Sequence, residues 1–100
     1  MTFRPSVGDK ARLDPSADVV LLCNNKATLD RFLELAVAGD KTGISILVLQ
    51  HRAFLASGGT SVLVIGREFN SREVRIEEGD LLGRSGWIGV ERLKPAGFSR

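Results

Sequence analysis

The sequence has no tyrosine and only one cysteine, one histidine and one tryptophan among its 100 residues. A lone cysteine, Cys23, forms no internal disulfide. One cysteine and one histidine also fall short of the roughly four ligands that a structural zinc ion needs. Cys23 follows two leucines in an apolar stretch, where a free thiol usually packs as a small hydrophobic side chain. We therefore expect no catalytic residue, no metal site and no cofactor.

A small enzyme that uses Cys23 or His51 is the second alternative function. A reactive thiol needs a positioned base, and no sequence rule places the single histidine near it. Paired carboxylates do not stand out either, because the acidic stretch 77–80 has three of them, whereas a calcium site takes about six oxygens. We interpret this stretch as a solvated hairpin tip and the protein as not an enzyme.

Long hydrophobic runs are also missing. Apolar runs such as 46–49 and 62–65 are far shorter than the roughly 20 residues that span a membrane. The N-terminal segment has no apolar core of the kind that a secretory signal carries. These absences lead us to expect a cytoplasmic protein without a membrane partner.

Neither sign of charge predominates, since fourteen basic and twelve acidic residues give a net charge of +2. Acidic residues alternate with the arginines of the second half, a pattern typical of an ordinary solvated surface. The small arginine excess there leaves a nucleic-acid-binding β-barrel as the alternative function. With 43% hydrophobic and 26% charged residues, we expect residues 1–100 to form a single globular domain.

The clearest helix is predicted at about 26–38. Leu29, Phe32, Leu33 and Val37 recur at helical spacing and would form one apolar stripe, while Gly39 follows as the expected left-handed residue. Residues 40–50 fit a helix or a strand, and a capping aspartate directly after Gly39 favours the helix. We expect a helical insertion at about 26–50 that packs this stripe against the rest of the domain.

The remaining segments read as short strands separated by turns. Strands are predicted at 10–13, 19–22, 52–56, 60–67, 73–77 and 83–88. The insertion joins 19–22 to 52–56, so that these two can lie beside each other as adjacent strands. In the fifth strand, apolar and charged residues alternate cleanly. Such spacing is typical of a small barrel or sandwich, so the fold class is mainly β with a helical insertion (α+β).

The stretch 83–95 (GRSGWIGVERLKP) resembles the end of Src-homology-3-like barrels, in which a Gly-aromatic-aliphatic strand precedes one helical turn and a last short strand. Residues 60–67 and 72–77 resemble the central hairpin of that family, and residues 7–13 resemble its opening strand. The resemblance, to bacterial members above all, implies a five- to six-stranded small barrel interrupted by the helical insertion.

The departures from that family bear on binding. Its ligand-binding members line a groove with tyrosines, a tryptophan and a proline, on which a proline-rich helix docks. Here tyrosine is absent, Gly89 stands where the proline usually follows, and Arg92 stands at the position of the second aromatic residue. We therefore expect no affinity for proline-rich peptides.

Trp87, with Arg84 and Arg92 on either side of it in sequence, is the candidate binding surface. Tryptophan and arginine are enriched among residues that dominate binding energy. The alternatives are that Trp87 packs at the end of the barrel and that both arginines face solvent. Together these observations favour a non-catalytic interaction module that binds a protein partner of unknown identity.

Overall fold

The computed structural model describes residues 3–97, and within them the chain forms seven strands and two α-helices. The strands are β1 (Lys10–Leu13), β2 (Val19–Cys23), β3 (Ala53–Ser57), β4 (Ser61–Glu68), β5 (Ser71–Ile76), β6 (Ser85–Gly89) and β7 (Leu93–Pro95). The helices are α1 (Lys26–Ala38) and α2 (Lys41–Leu49), and a single 3-10 turn covers Val90–Arg92. In this part of the chain no helix is long and apolar enough to cross a membrane.

All seven strands belong to one antiparallel sheet with the order β3-β2-β6-β5-β4-β1-β7. The two helices lie between β2 and β3 in sequence, and these strands pair along their full length, from Val19 opposite Ser57 to Cys23 opposite Ala53. The predicted mainly-β fold with a helical insertion is confirmed.

The sheet curves around one apolar core. Inward-facing residues from every strand form a single buried cluster, in which Phe54 of β3 at one end of the sheet shares the core with Leu93 of β7 at the other. The full cluster is Ala11, Leu13, Val20, Leu22, Phe54, Ala56, Val62, Val64, Val74, Ile76, Ile88 and Leu93. Curvature alone thus brings the two ends of the sheet around the same core.

The predicted small barrel has five or six strands, whereas the described sheet has seven and is not closed, because β3 and β7 do not pair. Loop hydrogen bonds bridge β1 and the turn after β3 instead: Leu13 N–H donates to the Thr60 carbonyl, and Gly59 N–H donates to the Leu13 carbonyl. Pro95 gives β7 one position without an N–H, which also disfavours closure by a ladder.

Both helices begin at a side-chain cap. The Asn25 side chain accepts a hydrogen bond from Thr28 N–H (2.8 Å), and Asp40 accepts one from Gly43 N–H (2.8 Å). Between them, Gly39 ends α1 with a φ of 71°. The Asp40 cap resolves the ambiguity at 40–50 in favour of the helix.

The predicted packing of α1 is wrong for part of its apolar stripe. Leu29 is buried, but Leu33 is 38% exposed and Val37 is 91% exposed. Leu35 is buried instead, in a second cluster that also contains Leu47 of α2. Because the tight Gly39 corner folds α2 back along α1, the Leu35 face is covered, and the C-terminal half of the stripe is left at the surface.

Candidate functional site

Strand β3 forms one end of the sheet and pairs only with β2 among the described strands. Hydrogen bonds at both ends of this ladder show which residues of β3 direct their backbone groups toward β2. Gly58 N–H donates to the Asp18 carbonyl (3.1 Å), and Asn24 N–H donates to the Arg52 carbonyl (2.9 Å). In an antiparallel ladder, alternate residues direct their backbone groups to the same side. Even-numbered residues of β3 therefore face β2, and odd-numbered residues face the open edge.

The accessible part of this edge is short. Ala53 is buried, and the Ser57 carbonyl already accepts hydrogen bonds from the N–H and hydroxyl of Thr60. Leu55 is 49% exposed, and its N–H and carbonyl point away from β2. No loop hydrogen bond within residues 3–97 uses either group. The reachable backbone groups are thus the Leu55 N–H, the Leu55 carbonyl and the Ser57 N–H.

The opposite end of the sheet is protected. In the β1–β7 ladder, Asp14 N–H donates to the Arg92 carbonyl. Because backbone directions alternate along a strand, the backbone groups of Leu93 and Pro95 point away from β1. The Leu93 N–H donates to the Val90 carbonyl, and Pro95 has no N–H to offer. Edge strands are commonly blocked in this way against added strands. The β3 edge has no such protection at Leu55.

A groove of about 340 Å³, here called the outer groove, lies between α1 and the ends of β2 and β3. Its walls are largely apolar, with Val19, Leu21, Phe32, Leu33, Ile44 and Leu55 among the lining residues. The charged residues that line it in the described part of the chain are Glu91 and Arg92. Of the exposed half of the α1 stripe, Leu33 therefore contributes to a concave surface, whereas Val37 does not line this groove.

A second groove of about 340 Å³, the inner groove, lies on the other side of Leu55, between β3 and the 77–84 connection. Ala56, Ile76 and Leu81 contribute its apolar wall, and the charged residues that line it are Glu78 and Asp80. One Glu78 oxygen already accepts a hydrogen bond from Ser61 N–H (2.9 Å). The inner groove therefore combines an apolar wall with negative charge.

The structure does not bring Trp87, Arg84 and Arg92 into one patch. Trp87 packs against the cluster beneath the helices, whereas the Arg84 guanidinium lies over the ring of Phe54, a residue of the inward-facing core. Arg92 lines the outer groove, and its Nη1 lies 3.6 Å from the Asp14 carboxylate. Of these three residues, only Arg92 lines one of the two grooves beside Leu55.

Cys23 is buried in the helix-covered cluster, and burial raises the pKa of its thiol to about 11. His51 lies at the exposed corner after α2, with a φ of 58°. A protonated, inaccessible thiol is a poor nucleophile. Within residues 3–97, no group of three or more potential metal-ligating side chains comes together.

Sequence reasoning placed a strand at 52–56 but did not single out Leu55. Its importance depends on β3 being an edge strand, and sheet order is not encoded in the residues of one strand. The chain matches no protein-family model, no curated protein and no solved structure.

Proposed function

We propose that this chain is a non-catalytic protein-binding domain that takes an extended segment of a partner protein as an additional strand on β3. The single observation that carries the proposal is the free, half-exposed edge at Leu55, in a sheet whose other end strand, β7, is blocked. An extended peptide is the one backbone conformation that satisfies such an edge, because its own N–H and carbonyl groups recur at the same spacing.

The two grooves supply side-chain selectivity. Side chains of a strand point alternately to opposite faces, so an added strand would direct alternate side chains into the outer and inner grooves. Leu55 lines both grooves and therefore lies at their boundary. The apolar outer groove favours leucine or valine, and the carboxylates of Glu78 and Asp80 favour lysine or arginine in the inner groove. The expected ligand is an extended segment in which apolar and basic residues alternate.

The proposal is tested with two labelled synthetic peptides of the same length and composition. In one, leucine and lysine alternate singly, as a strand requires; in the other, they alternate in pairs, which matches a helix. Fluorescence anisotropy should show saturable binding of the first peptide and at least about tenfold weaker binding of the second. Equal affinities would show that charge and hydrophobicity act without strand geometry.

The matched variants are Leu55→Pro and Leu55→Ala. Because the Leu55 N–H points away from β2, proline removes a donor from the free edge and none from the β2–β3 ladder. Both variants lose the leucine side chain, but Leu55→Pro should bind about two- to tenfold more weakly than Leu55→Ala, since one backbone hydrogen bond is worth about 0.5–1.5 kcal/mol. Circular dichroism checks that both remain folded, and indistinguishable affinities of the two folded variants overturn the proposal.

A further inference from the structure

A second surface, remote from β3 in the sheet order, lies at the tip of the β4–β5 hairpin. Glu68 and Ser71 pair across it, which leaves a two-residue turn of Phe69 and Asn70. Phe69 has a φ of 53° and is 81% exposed. Glycine or asparagine usually occupies the first position of such a turn, because a positive φ strains a bulky residue. A phenylalanine here is thus held at a conformational cost and contributes little burial in return.

The tip is held in place by hydrogen bonds from outside the hairpin turn. The Phe69 carbonyl accepts hydrogen bonds from Nη1 of Arg72 (2.8 Å) and Nη2 of Arg4 (3.5 Å). The Asn70 carbonyl accepts one from Val90 N–H (2.9 Å). Strained residues persist where the surrounding structure over-determines them, often at functional sites. These bonds hold the backbone of the turn, from which the Phe69 ring projects into solvent.

Three arginines gather at the same end of the molecule. Arg72 is 1% exposed, and its Nε donates to the Pro5 carbonyl (2.6 Å). Arg67 lies directly opposite Arg72 in the β4–β5 pairing. Burial, and then the charges of Arg67 and Arg4, lower the pKa of the Arg72 guanidinium. Like charges placed opposite each other in a sheet are unfavourable, so this arrangement lowers stability unless an anion joins it.

The cluster is not neutralised within the described part of the chain. None of the ion pairs among residues 3–97 includes Arg4, Arg67 or Arg72. Glu68, the carboxylate beside Phe69 on the same hairpin, makes no ion pair there either. An exposed aromatic ring therefore lies beside positive charge that has no carboxylate partner within residues 3–97.

We propose that this hairpin tip binds single-stranded nucleic acid, with a base stacked on Phe69 and the adjacent phosphates bound by Arg4 and Arg67. Stacking on an aromatic ring combined with backbone contacts from basic residues is the usual chemistry of sequence-tolerant single-strand binding. One ring is sufficient to stack a base, whereas a single phenylalanine buries little area in a lipid interface. Arg72 acts as a positioning residue, because its donors already hold the turn.

Fluorescence anisotropy with labelled oligothymidylate and oligouridylate tests the proposal at several salt concentrations. A plot of log affinity against log salt should have a slope of about −1.4, because each phosphate contact on a single strand contributes about −0.7. Arg4→Gln and Arg67→Gln should each reduce that slope by about half. Arg31→Gln, which removes a cation on α1 that pairs with Glu34, is the matched control and should leave it unchanged.

The decisive variant is Phe69→Gly, because glycine relieves the positive φ while removing the ring. The melting temperature should be at least that of the parent protein, and affinity for both oligonucleotides should fall at least about fivefold, as loss of one base stack predicts. Undiminished oligonucleotide binding by the folded variant overturns the stacking contact. Phe69-dependent binding to vesicles of phosphatidylserine and phosphatidylcholine, without oligonucleotide binding, overturns the nucleic-acid proposal and identifies a membrane surface. Leu55→Pro should leave oligonucleotide binding unchanged, so the two proposals fail or succeed separately.

Discussion

The guanidinium carbon of Arg84 lies 3.9 Å from the centroid of the Phe54 ring. Arg84 directly precedes β6 and Phe54 lies on β3, two strands that are separated in the sheet by β2. The Arg84 side chain therefore reaches past β2 to cover the Phe54 ring of the edge strand β3. It contributes to the burial of Phe54, which is only 6% exposed although its strand has a free edge.

Arg84→Ala tests the contribution of this contact to stability. Loss of the cation–π interaction should lower the free energy of unfolding by about 0.5–1 kcal/mol, measured by urea denaturation. Arg31→Ala is the control, since it breaks an exposed ion pair on α1 and should cost less than about 0.5 kcal/mol. A cost for Arg84→Ala no greater than that of Arg31→Ala would show that the arginine does not support Phe54.

Val74 and Val37 provide a matched pair for the packing of the sheet and of α1. Val74 is fully buried in the inward-facing cluster, and Val37 is 91% exposed. Val74→Ala should therefore cost about 2–3 kcal/mol through lost burial and the cavity left behind. Val37→Ala should stay within about 0.5 kcal/mol and on the stabilising side, because alanine is the better helix former. Similar costs for the two substitutions in urea melts would contradict this orientation of α1.

The buried thiol of Cys23 predicts a specific pH dependence. Its pKa in the folded protein is raised to about 11, so the unfolded chain loses the proton at lower pH than the folded one. Stability should be unaffected by this group below about pH 8.5 and should fall as the pH rises toward 11. Urea melts between these limits measure the loss.

Cys23→Ala should remove this part of the alkaline dependence. Tyrosine, which titrates near pH 10, is absent from the chain, so the difference between the two proteins reports on the thiol. At pH 8, Ellman's reagent should leave the thiol of the native protein unmodified and label it fully in guanidinium chloride. Rapid labelling of the native protein would place Cys23 at the surface.

Local structure followed closely from local chemistry. The predicted helix at 26–38 matches α1, because a capping asparagine and a terminal glycine mark its ends independently of the rest of the fold. The six strands predicted from short runs and turn residues, β1 to β6, lie within two residues of their predicted bounds. The pairing of β2 with β3 also followed, because a compact insertion returns the chain close to where it left.

Packing between elements was less predictable. The spacing of Leu29, Leu33 and Val37 describes one face of a helix, but spacing carries no information about which neighbour covers that face. The order of the strands likewise depends on how the sheet curves around its core, which decides that β3 is an edge and that Leu55 has free backbone groups. The grouping of Arg4 with Arg67 and Arg72 joins residues more than sixty positions apart.

The sequence by itself determined the elements of this protein, since caps, turn residues and hydrophobic periodicity act over a few neighbouring residues and need no tertiary partner. It also excluded an internal disulfide and a zinc site built from cysteine and histidine alone, because the chain has one residue of each type. Only the tertiary structure decided which apolar and charged residues stay exposed. Exposure depends on contacts between distant segments, and both candidate surfaces, the β3 edge and the Phe69 tip, arise from such contacts.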